Sequence, residues 1–180
     1  VLVPEAEDGG LDHNGDGDAL DRVAHLYDGL ADQLVNLGVA AEEIALSGEV
    51  VCLAVSEAAH GGVDRSGDGV ADDRVLGVWT IGTPPASLVL TPYTVASLGA
   101  FPAVEAAGAR CVFATEEADE GAAGTNLNGD EDAVDVVLRV FDGVVVHDLL
   151  AAEEFVVGDT GQYVAFRACE TAQGATWLNE

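Results

Sequence analysis

The chain contains no lysine, and its positive charges come from six arginines that stand singly along the sequence. They face 33 acidic residues, so the formal net charge is −27 over 180 residues. Nucleic-acid binding requires a basic patch that neutralises phosphates, and isolated arginines do not form one. The same shortage of positive charge argues against binding to anionic membrane surfaces. Divalent cations and cationic partners remain compatible with this charge.

Methionine is absent as well, even at position 1, from which we expect a processed product or a fragment. The longest uncharged stretch covers residues 75–104, but four prolines interrupt it together with glycines, serines and threonines. Such a stretch is typical of short strands and turns, not of a membrane helix. Because neither a signal peptide nor a membrane span is recognisable, the sequence predicts no membrane insertion. Hydrophobic residues make up 49% of the chain, which is enough to bury a core and argues against disorder.

Cysteine is scarce, and its number is odd. Cys52, Cys111 and Cys169 show no CxxC spacing, and each stands inside an apolar run. We expect three buried thiols, which is the usual state of such cysteines; the alternative is one disulfide and one free thiol.

The chain does contain an internal repeat. Residues 3–29, 54–82 and 114–143 align with one another, and a fourth copy begins with "AFRACETAQGATWLNE" at residue 165. Each copy has short runs of strand character bounded by turn residues, for example "EEIALSG", "VVCLAVSE", "DRVLGVWTI" and "SLVLTPYTV" in the second. We name these runs strands A to D. Because no segment shows a convincing helical period, the sequence predicts an all-β protein.

Four antiparallel strands per repeat of roughly 50 residues are typical of a β-propeller, in which four-stranded blades stack around an axis. Stacking is required because a single blade does not bury its faces alone. An aromatic residue recurs after each acidic loop, as Tyr27, Trp79 and Phe141, and we expect it to pack in the core. A β-sandwich of repeated modules is the structural alternative. The predicted blades, about three lengths in all, are 1–44 (strands B to D), 45–98, 99–152 and the start of a fourth in 153–180.

An acidic loop lies between strands B and C of each copy. In "DHNGDGDALD" the oxygen-bearing side chains stand at positions 1, 3 and 5 and a glycine at position 6, as in the first half of an EF-hand calcium loop. Position 7 would bind through its backbone carbonyl, and position 10 would close the site. The predicted metal ligands are Asp12, Asn14, Asp16, Asp18 and Asp21 in the first loop, Asp64, Ser66, Asp68, Val70 and Asp73 in the second, with Asp72 as a further candidate, and Asn126, Asn128, Asp130, Asp132 and Asp135 in the third.

Calcium is the metal we expect, with two to three ions per chain, because every predicted ligand atom is an oxygen. The alternative is a set of solvated turns rich in Asn, Asp and Gly. The third loop should bind most weakly because Asn126 is neutral and Glu131 stands where the other loops have glycine. If position 6 needs a positive φ, that glutamate costs roughly 1 kcal/mol. The fourth loop starts with Trp177 in place of an acid and should not bind.

A glutamate at the end of strand B is a second candidate ligand. It recurs as Glu5, Glu57, Glu117 and Glu170, seven to nine residues before the loop's first position. Our hypothesis is that this carboxylate joins the metal site and ties the two strand ends together. The alternative is an exposed glutamate at the rim.

The loop sequences resemble those of TolB-type β-propellers of secreted proteins, which carry "DLNGDGD..D.VL.VYD" between strands B and C. They also resemble the FG-GAP repeats of integrin-type propellers, whose DxNxDGxxD pattern fits residues 64–72, whereas Leu20 and Val134 stand at position 9 of the other loops. The resemblance implies a ring of six to eight blades, an extracytoplasmic location and a binding or scaffolding role.

We find no set of residues that would make this chain an enzyme. His13, His25, His60 and His147 have no zinc-site spacing, no serine stands in a GxSxG context, and the paired acids follow metal-loop spacing. The sequence therefore predicts a secreted or cell-surface calcium-binding module with a structural or binding role, as an adhesion or scaffold domain. Its partners would be calcium and either further copies of itself or another protein or glycan. The alternatives are a subunit of an extracellular fibre or surface layer assembled by strand addition, and a fragment of a propeller hydrolase.

Overall fold

The computed structural model describes residues 1–99 and 101–174, which form antiparallel β-sheets joined by turns and loops. The predicted all-β class is confirmed. Among the described residues the only helical elements are single 3-10 turns, at Pro85–Ser87, Glu117–Asp119 and Thr171–Gln173, so none could cross a membrane. The strands are β1 (Leu2–Pro4), β2 (Arg22–Asp28), β3 (Gln33–Ser47), β4 (Val50–Ser56), β5 (Arg74–Thr80), β6 (Val89–Thr94), β7 (Val104–Ala107), β8 (Arg110–Glu116), β9 (Val136–Phe141), β10 (Val146–Val157) and β11 (Val164–Ala168).

The strands form a six-stranded sheet in the order β1-β2-β3-β4-β5-β6 and a five-stranded sheet in the order β11-β10-β9-β8-β7. Two long strands, β3 and β10, each pair with two neighbouring strands. The first half of β3 pairs with β2 and its second half, from Ala41, pairs with β4. Likewise, β10 pairs with β9 up to Ala151 and with β11 from Ala152. We use these divisions to define four segments: 1–40, 41–99, 101–151 and 152–174.

Strand β4 is buried on both faces because a segment packs against each of them. Its sequence VVCLAVS is apolar almost throughout, as expected of a strand with no solvent-facing side. Val51, Leu53 and Val55 point to one side and belong to a core that includes residues of the first segment. Cys52 and Ala54 point to the other side, into a core shared with the third segment. The period-2 alternation of side chains therefore places one strand in two hydrophobic cores.

Strand β8 repeats this arrangement one segment further along the chain. Cys111 and Phe113 face the second segment, in the core shared with β4. Val112, which lies between them, packs with Leu138 and Ala152 in a third core that extends into the fourth segment. The segments thus stack in sequence order, and every internal boundary is a hydrophobic core.

The expectation of three buried thiols is wrong, and the alternative of one disulfide and one free thiol is the arrangement found. Cys52 and Cys111 form a disulfide with a Cα–Cα distance of 5.8 Å, whereas Cys169 is a partly exposed free thiol. Both bonded cysteines lie on the facing sides of β4 and β8. The stacking of the second segment on the third brings together two residues that are 59 positions apart.

A buried arginine strengthens the same boundary. The Arg139 guanidinium binds Glu120 Oε1 at 2.6 Å and Asp148 Oδ1 at 2.7 Å, and lies over the Tyr93 ring at 4.9 Å from its centroid. The other carboxylate oxygen of Glu120 accepts hydrogen bonds from the backbone N–H and the hydroxyl of Thr94, both at 3.0 Å. A buried charge is tolerated where it is paired and hydrogen-bonded in this way.

The recurring aromatic position packs in two of its three copies. Trp79 is buried, and Phe141 packs partly buried against the core between the second and third segments. Tyr27 departs from the expectation, since it is 58% exposed and its hydroxyl donates to Asp32 Oδ1 at 2.8 Å.

Replacing Cys52 and Cys111 together by alanine should lower the free energy of unfolding by up to about 4 kcal/mol, because the disulfide closes a long loop in the unfolded chain. Chemical denaturation measures this change, and Cys169→Ala serves as the matched control that should leave stability nearly unaltered. Thiol titration of the unfolded, unreduced protein should find a single reactive cysteine. Three reactive cysteines before reduction would contradict the pairing.

Candidate metal centre

Three acidic loops, at 5–21, 57–73 and 117–135, each join two neighbouring antiparallel strands: β1 to β2, β4 to β5, and β8 to β9. The mouth of each loop is closed by the same backbone hydrogen bond. The N–H of the strand-end glutamate donates to the carbonyl of the position-10 aspartate, at 2.9 Å in the first loop, 2.8 Å in the second and 2.9 Å in the third. The glutamate and the last predicted ligand are therefore neighbours in all three loops.

The first position of each loop organises the backbone that follows it. Asp12 accepts hydrogen bonds from the N–H groups of Gly15 at 2.5 Å and Gly17 at 3.1 Å. In the second loop Asp64 accepts from Gly67 at 2.6 Å and from Gly69 at 3.1 Å. These bonds, to N–H groups three and five residues ahead, wind the loop tightly. Asx turns follow at Asn14 and Asp68, which accept the N–H groups of Asp16 and Val70.

Position 6 has a positive φ in every loop. The values are 108° at Gly17, 104° at Gly69 and 86° at Glu131. Position 6 therefore does need a positive φ, as the predicted cost of Glu131 required. A residue with a Cβ occupies a conformation there that favours glycine.

Three of the four strand-end glutamates are fully buried, so the alternative of an exposed rim position is wrong for them; Glu170 is half-buried. Glu5, Glu57 and Glu117 have 0% exposed surface. Glu5 accepts the backbone N–H of His13 at 2.5 Å on one carboxylate oxygen and that of Asp21 at 3.2 Å on the other. The side chain thereby ties the end of β1 to both arms of the loop.

Glu117 makes the same contacts in the third loop. One oxygen accepts from Leu127 N–H at 2.6 Å and Asn128 N–H at 3.2 Å, and the other accepts from Asp135 N–H at 3.2 Å. In the second loop, Glu57 Oε1 accepts from the N–H groups of Arg65 and Ser66.

Carboxylates converge at each loop mouth. Within each cluster the oxygen atoms lie within 4.8 Å of one another, a spacing that suits a shared metal ion. Most of the clustered residues are predicted ligands. The buried glutamate belongs to the cluster in two loops, and Asp72, the further candidate, belongs to it in one. Three predicted ligands, Asp12, Asp16 and Asp64, are not among the clustered carboxylates. The clusters are Glu5, Asp18 and Asp21; Asp68, Asp72 and Asp73; and Glu117, Asp130, Asp132 and Asp135.

Position 7 enters two of these clusters through its side chain. The sequence predicted a backbone carbonyl ligand there, but the carboxylates of Asp18 and Asp132 point to the loop mouth. Val70, at position 7 of the second loop, has no such group, and its backbone N–H donates to Asp68 Oδ1 at 2.8 Å.

Position 3 connects the cluster to the loop and to the next segment. The Asn14 amide donates to Asp21 Oδ2 at 2.9 Å, and its own oxygen accepts Asp16 N–H at 3.2 Å. Asn128 donates in the same way to Asp135 Oδ2 at 3.1 Å. Asn126, at position 1 of that loop, accepts Gly129 N–H at 2.6 Å.

The second loop carries the strongest electrostatic signature. Burial, followed by the neighbouring charges of Asp119, Asp68 and Glu57, raises the pKa of Asp73 to about 6. Burial likewise raises the pKa of Asp21. Both shifts arise first from burial and then from neighbouring carboxylates, so the loop mouths are places where ionised carboxylates are disfavoured.

Two buried oxygens in the second loop have no hydrogen-bond partner: Glu57 Oε2 and Asp73 Oδ2. An unpaired buried carboxylate oxygen is costly, and such atoms in a folded protein call for an explanation. A hard cation bound by oxygen atoms would satisfy both, so the residues present fit a metal ion.

The histidines lie outside these clusters. His25 is buried with Nδ1 3.1 Å from the carbonyl of Val23, and His13 Nε2 lies 2.7 Å from Asp8 Oδ2. The prediction that the fourth loop does not bind concerns Trp177, which is outside the described residues.

Comparisons with protein-family models, curated proteins and solved structures find no match.

Glu131→Gly should be more stable than Glu131→Ala by about 1 kcal/mol, because only glycine relieves the positive φ at position 6. Both variants remove the same negative charge, so the difference between them isolates the backbone effect. Chemical denaturation in the presence of a chelator measures it. Equal stability of the two variants would contradict a strained glutamate.

Proposed function

We propose that this chain is a calcium-stabilised module of β-propeller blades with a structural or binding role outside the cell. The observation that carries the proposal is the threefold recurrence of one arrangement: a fully buried glutamate beside converging carboxylates at the mouth of a hairpin. One such cluster could be an ordinary acidic turn, but three clusters at equivalent places favour a common role in metal binding.

Calcium is favoured by the chemistry of the donors. The clusters offer carboxylate oxygens, and the adjacent Asn and Ser side chains offer further oxygens, as calcium sites with six to eight ligands require. Magnesium demands stricter octahedral geometry and retains several waters, so it suits a crowded set of carboxylates less well. Zinc would call for histidine or cysteine ligands, which these clusters do not contain.

A propeller arrangement is supported by the way the segments pack. The second segment is a four-stranded antiparallel unit, formed by half of β3 with β4, β5 and β6. Its neighbours cover both faces of β4, as adjacent blades do in a propeller.

A location outside the cell is supported by the disulfide between Cys52 and Cys111, because such bonds persist in oxidising compartments. Calcium is also plentiful there, where modules with dissociation constants of about 10⁻⁴–10⁻³ M function.

A binding role has a candidate surface at the end of the strands opposite the acidic loops. A cleft of about 700 Å³ opens there between the second and third segments. Its lining is mostly apolar and includes Val50, Val78, Val89 and Phe141. A cleft of this size suits a protein side chain or a small ligand.

Calcium should raise the melting temperature of the chelated protein. At about 100 times its dissociation constant, calcium adds about 2.7 kcal/mol per site, or roughly 5–10 °C for a chain of this size. Magnesium at the same concentration should give a smaller shift. Asp73→Asn should reduce the calcium shift, whereas Asp159→Asn, an exposed acid outside the loops, should preserve it. An identical melting temperature in calcium and in chelator would overturn the proposed function.

A further inference from the structure

The hydrophobic core between the second and third segments is open at one end. Its buried part includes Phe113 and the disulfide-bonded cysteines. Val50, Val78 and Phe141 pack against this core but are only partly buried, and the same three residues line the cleft of about 700 Å³. Cys111 lines the cleft as well. The cleft is therefore the unfilled end of a core between two segments.

The boundary between the first and second segments is filled at the corresponding position. The residue that aligns with Phe141 there is Trp79, which is buried and donates its indole N–H to the carbonyl of Pro84 at 3.3 Å. Ile81 and Leu88 pack against the same core. An indole thus fills one boundary, whereas the smaller ring of Phe141 leaves space at the next.

Hydrogen bonds hold the walls of the cleft in place. The backbone N–H of Gly108, in the turn between β7 and β8, donates to Ser47 Oγ at the end of β3, at 3.0 Å. In the loop between β5 and β6, Ser87 Oγ lies 2.7 Å from both Thr83 Oγ1 and the carbonyl of Pro84. The disulfide joins the same two segments. A cleft fixed in this way is preformed, which lowers the cost of binding a ligand.

The cleft carries one acid from each segment, and no arginine is among the described residues that line it. Glu49 is exposed and forms no ion pair with any residue that the structure describes. Asp142 accepts the N–H groups of Val144 and Val145 at 2.9 Å and 2.8 Å, and His147 Nε2 lies 3.4 Å from its other oxygen. These contacts lower the pKa of Asp142 to about 2, so the carboxylate is ionised at neutral pH. An apolar floor with two negative charges suits a ligand that has an apolar stem and a positive end.

Arginine has this chemistry, and the same boundary already holds one. The Arg139 guanidinium pairs with two acids and lies 4.9 Å from the centroid of the Tyr93 ring and 5.7 Å from that of the Phe113 ring. The Tyr93 and Phe141 ring centroids are 6.2 Å apart, so the aromatic floor of the cleft continues the cluster that holds Arg139. A guanidinium gains more than a lysine ammonium from aromatic faces and carboxylates, because it is planar and weakly hydrated.

We propose that the cleft between the second and third segments binds an arginine side chain from a peptide segment of a partner protein. The aliphatic stem would lie along Val78 and Phe141, and the guanidinium would reach Glu49 and Asp142. The net charge of −27 would attract a positively charged segment from a distance. The inference rests on the binding role proposed above and names the chemistry of the partner.

Titration with acetyl-Ala-Arg-Ala-amide, followed by nuclear magnetic resonance, tests the proposal. At about 0.15 M salt, which screens diffuse attraction to the acidic surface, the backbone resonances of Val50, Val78 and Gly143 should shift and saturate. The citrulline peptide has nearly the same shape without the charge and should bind roughly tenfold more weakly or less tightly still. The lysine peptide should also bind more weakly than the arginine peptide. Equal binding of the citrulline peptide, or shifts at the acidic loops in place of the cleft, would overturn the proposal.

Variants of the cleft separate specific binding from general attraction. Glu49→Gln should weaken the arginine peptide by roughly threefold or more, and adding Asp142→Asn should weaken it further. Val89→Trp should block the cleft with both acids intact, since Val89 is 55% exposed and can be enlarged without disturbing the core. Glu7→Gln is the matched control, because it removes an exposed acid at the opposite end of the strands, and it should bind like the unmodified protein. Equal weakening by Glu49→Gln and Glu7→Gln would contradict a site in the cleft.

The same titration in calcium and in chelator distinguishes this inference from the proposed calcium function. A calcium-dependent rise in melting temperature without peptide binding would overturn the arginine cleft alone. Peptide binding in the cleft without any effect of calcium would support the cleft and overturn the calcium function. If the cleft resonances shift when the protein alone is concentrated, a second copy of the chain occupies the cleft, and the partner proposed here is wrong.

Discussion

The structure depends on a glutamate that is fully buried at the end of a strand and accepts the backbone N–H groups of the loop that follows. Glu5 and Glu117 use both carboxylate oxygens in this way and so hold the two ends of a hairpin together. A buried carboxylate is stable only where donors or cations surround it. The loop must therefore wind around the glutamate, which is why Asx turns and positive φ values recur in all three copies.

Stacking of the segments is the second constraint, and it adds to the repulsion between acidic residues. Central strands such as β4 bury both faces, so adjacent segments pack closely, and Asn14 of the first loop and Asn128 of the third each donate a hydrogen bond to the next segment. A chain with a net charge of −27 and six arginines has little positive charge available for these places. Cations from the medium would offset the repulsion, and the protein would then be most stable where calcium is abundant.

The local features followed from the sequence, and the features that depend on stacking did not. The repeat located the strands because their apolar runs and turn residues recur in register, and the loop motif anticipated the positive φ at Glu131. The sequence left open whether Glu57 joins the loop or lies exposed at the rim, because a lone glutamate at a strand end is usually exposed. The pairing of Cys52 with Cys111 depends on how one segment lies on the next. No local pattern encodes that relation, although the reappearance of glutamate at one place in each copy was a usable signal.

The central claim is that each loop mouth holds a cation beside a buried glutamate. Its most direct test is a crystal structure grown in calcium, with anomalous data collected to locate the ions. We expect anomalous peaks at the mouths of the three loops, the weakest at the third, with carboxylate oxygens at about 2.3–2.6 Å from each ion. At the second loop, an oxygen of Asp73 should lie within that distance. Loop mouths that hold only water in saturating calcium would contradict the account.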